Sequence, residues 1–523
     1  MVPLLTSRLP TKLVTRWAVP GVLGAVVVLA LLLRVVNVTE NPPGFFADEA
    51  ALGYNAYTLL NSGTDEYGEP WPILFRSFDD YKLGISVYAA VPFVAVFGLT
   101  ELAVRLVGVS FGVLAVITTF LLASAIFKSR AVGLSAAFFL ATLPWHIHYS
   151  RTGFGEMVSF LPFLTLGLYL FLRGLDKKEL WLASGMVLGL TLHTYRSAWV
   201  VLPPLILLLG IMYRRELLAN WRFAVYSFAI FMFIALPILV HLQTTELDRS
   251  QQSGILALEL ERGELISTVI EQYRAHFTYS FLFEDGDNWA ITRHYLPGVG
   301  HLFKFQIPLM LLGLLGIAFR PTRSKIIIVA LVLLFPLAGA LSDLSPISSR
   351  SILGTVAAAL LAGYGLFVLV NPLSMLNRPY GRVAIGAALA VILVIAGFSL
   401  RSYLDRYHTE YPVLSAGYWG WQEGPQEIIE YYVDHQDEYD QLVLDGEFNA
   451  PHIFFKFYAL NECTRQTCTT GNPDSYRPEL RQLFALRPHN YTDAYEYRTV
   501  HEIRYPSGEL AFSLNEVVGV GEE

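Results

Sequence analysis

"NPPGFFADEAALGYNAYTLL", residues 41–60, is the stretch whose reading decides the fold. A Pro-Pro-Gly turn leads into two aromatic residues. Asp48 and Glu49 then open a helical run, directly after an apolar segment at residues 17–38. An acidic pair at the mouth of such a segment has two readings. Aspartate is a favoured N-cap, and acids suit a helix's first turn. A carboxylate there can also serve as a general base that deprotonates a hydroxyl. The two roles are compatible, because a helix N-terminus holds a carboxylate in a fixed direction.

The rest of the chain says what surrounds that pair. Hydrophobic residues make up 54% and charged residues 15% of 523 residues, with a mean hydropathy of +0.45. An ordinary globular chain is roughly a quarter charged. Apolar runs of about 17–24 residues recur, each long enough for a hydrocarbon core of roughly 30 Å. The chain therefore reads as a polytopic α-helical membrane protein. No basic cluster with interleaved aromatics suggests nucleic acid. The first apolar run is too long for a cleavable signal peptide, and no small-residue cleavage site follows it.

Candidate spans lie near 17–38, 103–127, 131–149, 156–173, 180–195, 198–213, 222–242, 301–319, 325–342, 351–370 and 381–401. Short basic loops stay cytoplasmic. Arg8, Lys12 and Arg16 precede the first span, and Lys128–Arg130, Arg173–Lys178, Arg214–Arg215, Arg320–Lys325 and Asn377–Arg382 separate later ones. A further apolar stretch, residues 83–99, would put Lys128–Arg130 outside if it crossed. It has 17 residues and carries Pro92, so it reads as a helix on the outer face. Eleven spans then leave the N-terminus in the cytoplasm of a multi-pass plasma-membrane protein. The loops 39–102 and 243–300 and the tail after 401 fall outside.

The chain divides into a transmembrane unit, 1–401, and an extracytoplasmic unit, 402–523. In the second, "YDQLVLDGEF" reads as a strand and turn and "APHIFFKFYAL" as a helix, giving a small α/β domain. Its Cys463 and Cys468 are the only cysteines, and an oxidising exterior favours a disulfide between them.

Polar groups gather on the outer face, and ionisable groups at a membrane edge are costly unless solvated or paired. Lys82 is either a snorkelling lysine paired with Asp79 or Asp80, or a cation for a lipid phosphate. Arg105 and Arg350 stand near the outer ends of spans and suit anionic lipid headgroups. Glu156 opens a span beside Arg151, as a first-turn acid or a site carboxylate. Asp287, Asn288, Arg293 and His294 form a polar run able to contact a sugar. His146 and His148 match no zinc motif, and no phosphate-binding glycine loop is present. A group-transfer enzyme on this face needs a donor the membrane delivers, and a polyprenyl-phosphate sugar fits.

Several stretches match a known type. They are "FADEAALGYNAY", "RSFDDYKLGISVYAAVPFVAVFGLTELAVRL", "IHYSRTGFGE", "DGDNWAITRHYLPGVGHLFKFQIPLMLLGLLG" and "SSRSILGTVAAALLAGYG". Their order, over residues 40–370, resembles the GT-C membrane glycosyltransferases. The likeness is to the branch holding protein O-mannosyltransferases and the lipid A aminoarabinose transferase. The resemblance implies a GT-C fold with outer-face helices in loop one and transfer of one sugar from a polyprenyl-phosphate donor to an acceptor glycan, lipid or protein. It implies Asp48 as base, Glu49 as its support, Glu156 as a second site carboxylate, and Lys82 and Arg350 as donor-phosphate contacts. Arg105 matches the pattern as a further basic residue near that phosphate. Arg151, Asp287, Asn288, Arg293 and His294 are the candidate substrate contacts. After Lys82 this chain has "LGIS" where relatives often have "PPL", which loosens that match. The branch generally needs no metal cofactor, so none is expected here. A transporter or flippase, or a glycan-binding scaffold, would also place polar groups in a membrane protein. Transporters, however, usually carry midplane sites and inverted repeats.

Overall fold

The computed structural model describes residues 18–520, apart from 79, 245–253, 259, 288, 290, 461 and 464–466. Among the described residues six helices are long and apolar enough to cross a bilayer: Glu101–Phe127, Gly155–Gly174, Trp221–Gln243, Arg323–Ala340, Leu353–Met375 and Pro379–Thr409. The pair Arg130–Thr142 and Pro144–Ser150, bent by 63°, makes a seventh crossing if it acts as one span. Ala18–Val35, Gly84–Phe97, Leu180–Thr191, Ser197–Met212 and Gln306–Phe319 are shorter apolar helices.

The elements that position the site come early in the chain. They are α1 (Ala18–Val35), α2 (Ala47–Ser62), the strands β1 (Leu74–Ser77) and β2 (Asp80–Leu83), α3 (Gly84–Phe97), α4 (Glu101–Phe127), α5 (Arg130–Thr142), α6 (Pro144–Ser150) and α7 (Gly155–Gly174). Local chemistry sets their ends. Thr100 caps α4 by accepting from the Ala103 N–H, and Lys128 ends it in the left-handed region at φ 51°. Ser129 at once caps α5 by accepting from the Val132 N–H. The basic turn "KSR" is therefore a stop–start signal between two helices.

Loop one leaves and returns at one place. Arg105, in the second turn of α4, donates to the carbonyls of Val38, Thr39, Pro42 and Gly44, just beyond α1. The end of α1 and the start of α4 thus lie side by side. The 14 residues of α3 span only about 21 Å, less than a hydrocarbon core. Its Val87, Ala90 and Val94 pack in one core with Ala50, Ala51 and Leu59 of α2. The hairpin β1–β2 between α2 and α3 is not visible in the sequence reading, which treats residues 65–82 as polar loop.

The last long helix runs unbroken from Arg378 to Thr409, past residue 401. Beyond it stands a five-stranded sheet of order β4-β3-β5-β7-β6, made of β3 (Gln441–Asp445), β4 (Cys468–Gly471), β5 (Gln482–Leu486), β6 (Tyr495–Arg504) and β7 (Leu510–Val520). β3 is parallel to β4 and β5, and β7 is antiparallel to β5 and β6. The expected strand at "QLVLD" is β3, and "HIFFKFYA" is helical, as an α-turn followed by a π-turn. The expected disulfide joins Cys463 to Cys468.

The sheet unit does not stand apart. Ile428, Tyr432, Phe454 and Phe457 share a core with Phe45, Ala47 and Leu52 of loop one. Lys456 Nζ pairs with Glu66 Oε2 at 2.7 Å, and the Tyr458 hydroxyl donates to Glu101 at the start of α4. Single cysteines replacing exposed Ser62 and Ser507 should therefore react with an impermeant maleimide from the same side of sealed vesicles. A cysteine at Arg215 should react from the opposite side. Labelling of positions 62 and 507 from different sides would break this architecture.

Candidate active site

The N-terminus of α2 separates its two acids. Phe46 is the N-cap residue, and its N–H donates to Glu49 Oε2 at 3.1 Å while the Glu49 N–H returns to the Phe46 carbonyl at 2.8 Å. Glu49 at the third helical position therefore takes the capping role weighed for Asp48. Its other oxygen, Oε1, accepts from the Gly153 N–H at 2.5 Å and from Arg105 Nε at 3.4 Å. Glu49 and Arg105 are both fully buried. Gly153 is required there, because a Cβ would sit 2.8 Å from the Glu49 side chain.

Asp48 is thereby left to face the cleft. Its Oδ1 lies 3.1 Å from Lys82 Nζ, and both side chains keep partial exposure, 24% and 16%. Lys82 stands on β2 opposite Phe75 on β1. Cross-strand partners and residues two apart share a face, so Phe75, Ser77 and Lys82 project together. Asp80, one of the partners expected for Lys82, pairs instead with Arg196 at 2.6 Å, and Asp79 lies outside the described residues. Asp48, Lys82, Ser77, Asn55 and Glu156 line one cleft with about 240 Å³ of empty space. Glu156 reaches it from the first turn of α7.

A second group of expected residues flanks the cleft. The Arg293 guanidinium lies 4.3 Å from the centre of the Phe46 ring, and its Nη1 donates to the Trp419 carbonyl at 3.1 Å. Burial pushes Arg293 below its ordinary value, while the nearby Asp48 carboxylate holds it up. His294 bonds the Tyr149 hydroxyl through Nδ1 at 3.3 Å. Burial first, then the charges of Arg293, His148 and Arg350, pushes its imidazole well below the ordinary value. His294 is thus a neutral ring at neutral pH. Arg350 is partly buried, its carbonyl accepts from Ser197 Oγ at 3.0 Å, and it acts electrostatically on Tyr195, as does Glu156.

Four expected contacts are spent elsewhere or cannot be described. Arg105 does not line the cleft, because its guanidinium is consumed by Glu49 and the loop-one carbonyls. Arg151 is buried and donates to the carbonyls of Leu33, Asn37 and Asn41. Asp287 is buried and accepts from His301 Nε2 and from the Ser348 N–H and hydroxyl at 2.8–2.9 Å. Asn288 lies outside the described residues. The two arginines fix backbone rather than contact the cleft. Asp287 ties its loop to the segment that carries Arg350. Ser77 and Asn55 were missed by the sequence reading. The alternation Phe75, Ser77 and then Asp80, Lys82 across a turn is the only signal that would have found Ser77. Among the described residues no group of three His, Cys, Asp or Glu side chains is placed to hold a metal ion.

Residues 86–241 match the family described as dolichyl-phosphate-mannose-protein mannosyltransferase. The match begins after Asp48 and Lys82. No curated protein matches the sequence. Among solved structures, the chain is similar to the Archaeoglobus fulgidus oligosaccharyltransferase tethered to an acceptor peptide, with 13% identity, a TM-score of 0.57, and 88% of this chain and 65% of that one covered. It therefore spans just under two thirds of that relative's length. It is similar to ArnT from Cupriavidus metallidurans bound to undecaprenyl phosphate, with 14% identity, a TM-score of 0.52, and 96% and 99% covered. It is also similar to the A. fulgidus enzyme AglB in complex with an inhibitory peptide and a dolichol-phosphate, with 12% identity, a TM-score of 0.54, and 95% and 74% covered. The chain has the GT-C-like fold of these proteins.

Breaking the buried Arg105–Glu49 pair strands a charge and frees loop one. Arg105→Met or Glu49→Gln should destabilise the protein by about 3–5 kcal/mol, the usual cost of removing one partner of a buried pair, read as a lower melting temperature in detergent. His276 gives a pH test. Its Nε2 accepts from the Ile347 N–H, close to Arg350, and burial lowers its pKa to about 4. The unfolded chain then binds the proton first. Stability contributed by the neutral ring is present above about 6.5 and lost as pH falls towards 4. The melting temperature of His276→Gln should fall less than that of wild type between pH 7 and 5.

Proposed function

We propose that the chain is a membrane glycosyltransferase that moves one sugar from a polyprenyl-phosphate donor to an acceptor hydroxyl, with inversion at the anomeric carbon. The observation that carries this reading is the Asp48–Lys82 pair at 3.1 Å in a cleft that Glu156 also lines. A base and a cation side by side are what the reaction needs. Asp48 takes the acceptor proton as the hydroxyl oxygen attacks the anomeric carbon. The bond to the phosphate oxygen breaks, and its electron pair leaves with the lipid phosphate. That leaving group is a weak base, so it needs a cation more than a proton. Lys82 supplies the cation, and Arg293 and Arg350 add positive potential on the cleft's flank. Glu156 has no proton to move in this scheme and serves to hold hydroxyls of the sugar or acceptor. The carriers bound in the two similar structures, undecaprenyl phosphate and dolichol-phosphate, support a polyprenyl donor.

The same reading takes eleven spans, with four of the five shorter apolar helices crossing and α3 lying on the face. It puts the cleft and the sheet unit on the extracytoplasmic side of the plasma membrane, and the N-terminus in the cytoplasm. The acceptor is a glycan, lipid or protein hydroxyl. Because Lys82 provides the cation, the reaction is proposed to run without a metal. Membrane lipids line the exposed faces of Trp221–Gln243 and Pro379–Thr409, whose most apolar 18-residue stretches are only 11% and 6% buried within the protein.

Asp48→Asn should lower turnover of a polyprenyl-phosphate sugar by about 10²–10⁴-fold while leaving the melting temperature close to that of wild type. Lys82→Met should lose turnover as well, and EDTA should leave wild-type turnover intact. Wild-type rates in Asp48→Asn would reject the base. Loss of activity in EDTA with recovery in manganese would reject the metal-free scheme.

A further inference from the structure

Ser77 is the cleft residue whose chemistry the scheme above leaves unused. It is 1% exposed, and among the described residues its Oγ has no hydrogen-bond partner. Buried hydroxyls are normally bonded, so an orphan one facing a cleft marks a place where a ligand atom completes the site. Two further facts say which atom. Ser77 shares a hairpin face with Lys82, through the register Phe75↔Lys82 and Ser77↔Asp80. Its cross-strand partner Asp80, on the same face by that register, is neutralised by Arg196 at 2.6 Å. The hairpin is itself rigidly seated, with Phe75 fully buried beneath it. The hydroxyl is therefore presented by a strand, beside the Lys82 ammonium that lines the cleft.

We infer that Ser77 is a donor-phosphate ligand, its O–H donating to a non-bridging phosphate oxygen next to Lys82. This rests on the glycosyltransferase reading and deepens it. Carboxylates such as Asp48 and Glu156 suit the hydroxyls of a sugar, because they only accept. A phosphate likewise only accepts and needs more than one donor to spread its charge. As the bond to the anomeric carbon breaks, negative charge grows on the phosphate oxygens. A hydroxyl already aimed there stabilises that charge without reorganising. Ser86 is a matched control. It is fully buried and its Oγ too has no partner among the described residues, yet it does not line the cleft.

The test uses the full chain in nanodiscs and reads binding apart from turnover. Undecaprenyl phosphate and undecaprenol, the same chain without the phosphate, are the probes, and ligand-induced rise in melting temperature is the readout. Ser77→Ala should weaken undecaprenyl phosphate about tenfold, the loss of one charge-assisted hydrogen bond, and leave undecaprenol unchanged. Ser77→Thr, which keeps the hydroxyl, should restore most of the affinity, and Ser86→Ala should match wild type. Equal affinity of wild type and Ser77→Ala for undecaprenyl phosphate would overturn the role of Ser77 alone. A wild-type protein that binds neither probe would overturn the polyprenyl-phosphate reading and this inference with it.

Discussion

The structure depends on one fully buried ion pair, Glu49 with Arg105. Two charges without solvent are tolerable only when further hydrogen bonds support them. Here both groups have such bonds. Glu49 closes the α2 capping box and takes the Gly153 N–H, while Arg105 collects four carbonyls of the turn after α1. One pair thus ties together the end of α1, the start of α2, the second turn of α4 and the approach to α7. With the helix start secured by Glu49, Asp48 is released from capping and points where Lys82 and Glu156 also point. Two adjacent acids, which look alike in the sequence, are divided by burial into a fastener and a cleft-facing carboxylate.

The same division explains how much of the molecule was legible. Apolar helices were readable because apolar length is a local property, and "FKSR" marked the α4–α5 break, while six of the eleven expected spans, or seven with the bent pair, are long enough by themselves to cross. Residues 83–99 were read as a face helix from charge parity, and the structure makes residues 84–97 a 14-residue helix that packs on α2. Asp48, Lys82 and Glu156 were named from sequence and share one cleft. Arg105, Arg151 and Asp287 were named with them, and the structure shows them holding backbone or loop partners. Nothing in a one-dimensional pattern separates an arginine aimed at a ligand from one aimed at buried carbonyls. That difference arises only when distant segments meet, as Arg151 does with the end of α1. Ser77 was missed for the converse reason. A serine in a polar loop carries no signal until the hairpin register sets it beside Lys82.

Electrostatics around the cleft follows from the same packing. Arg293 stacks on Phe46, the residue that caps α2, so a cation is delivered to Asp48 by a loop more than two hundred residues away in sequence. His294 is kept neutral by burial and by the cations around it. The cation that reaches Asp48 from this loop is therefore an arginine rather than the neighbouring imidazole.

The core that loop one shares with the C-terminal sheet unit has a consequence for biosynthesis. Phe45, Ala47 and Leu52 are covered by Ile428, Phe454 and Phe457, which leave the ribosome long after the helices. Until they arrive, α2 is packed by α3 and α4 alone, and that face of loop one lies open. The order of synthesis thus makes the sheet unit a cover added to loop one after its ion pairs can form.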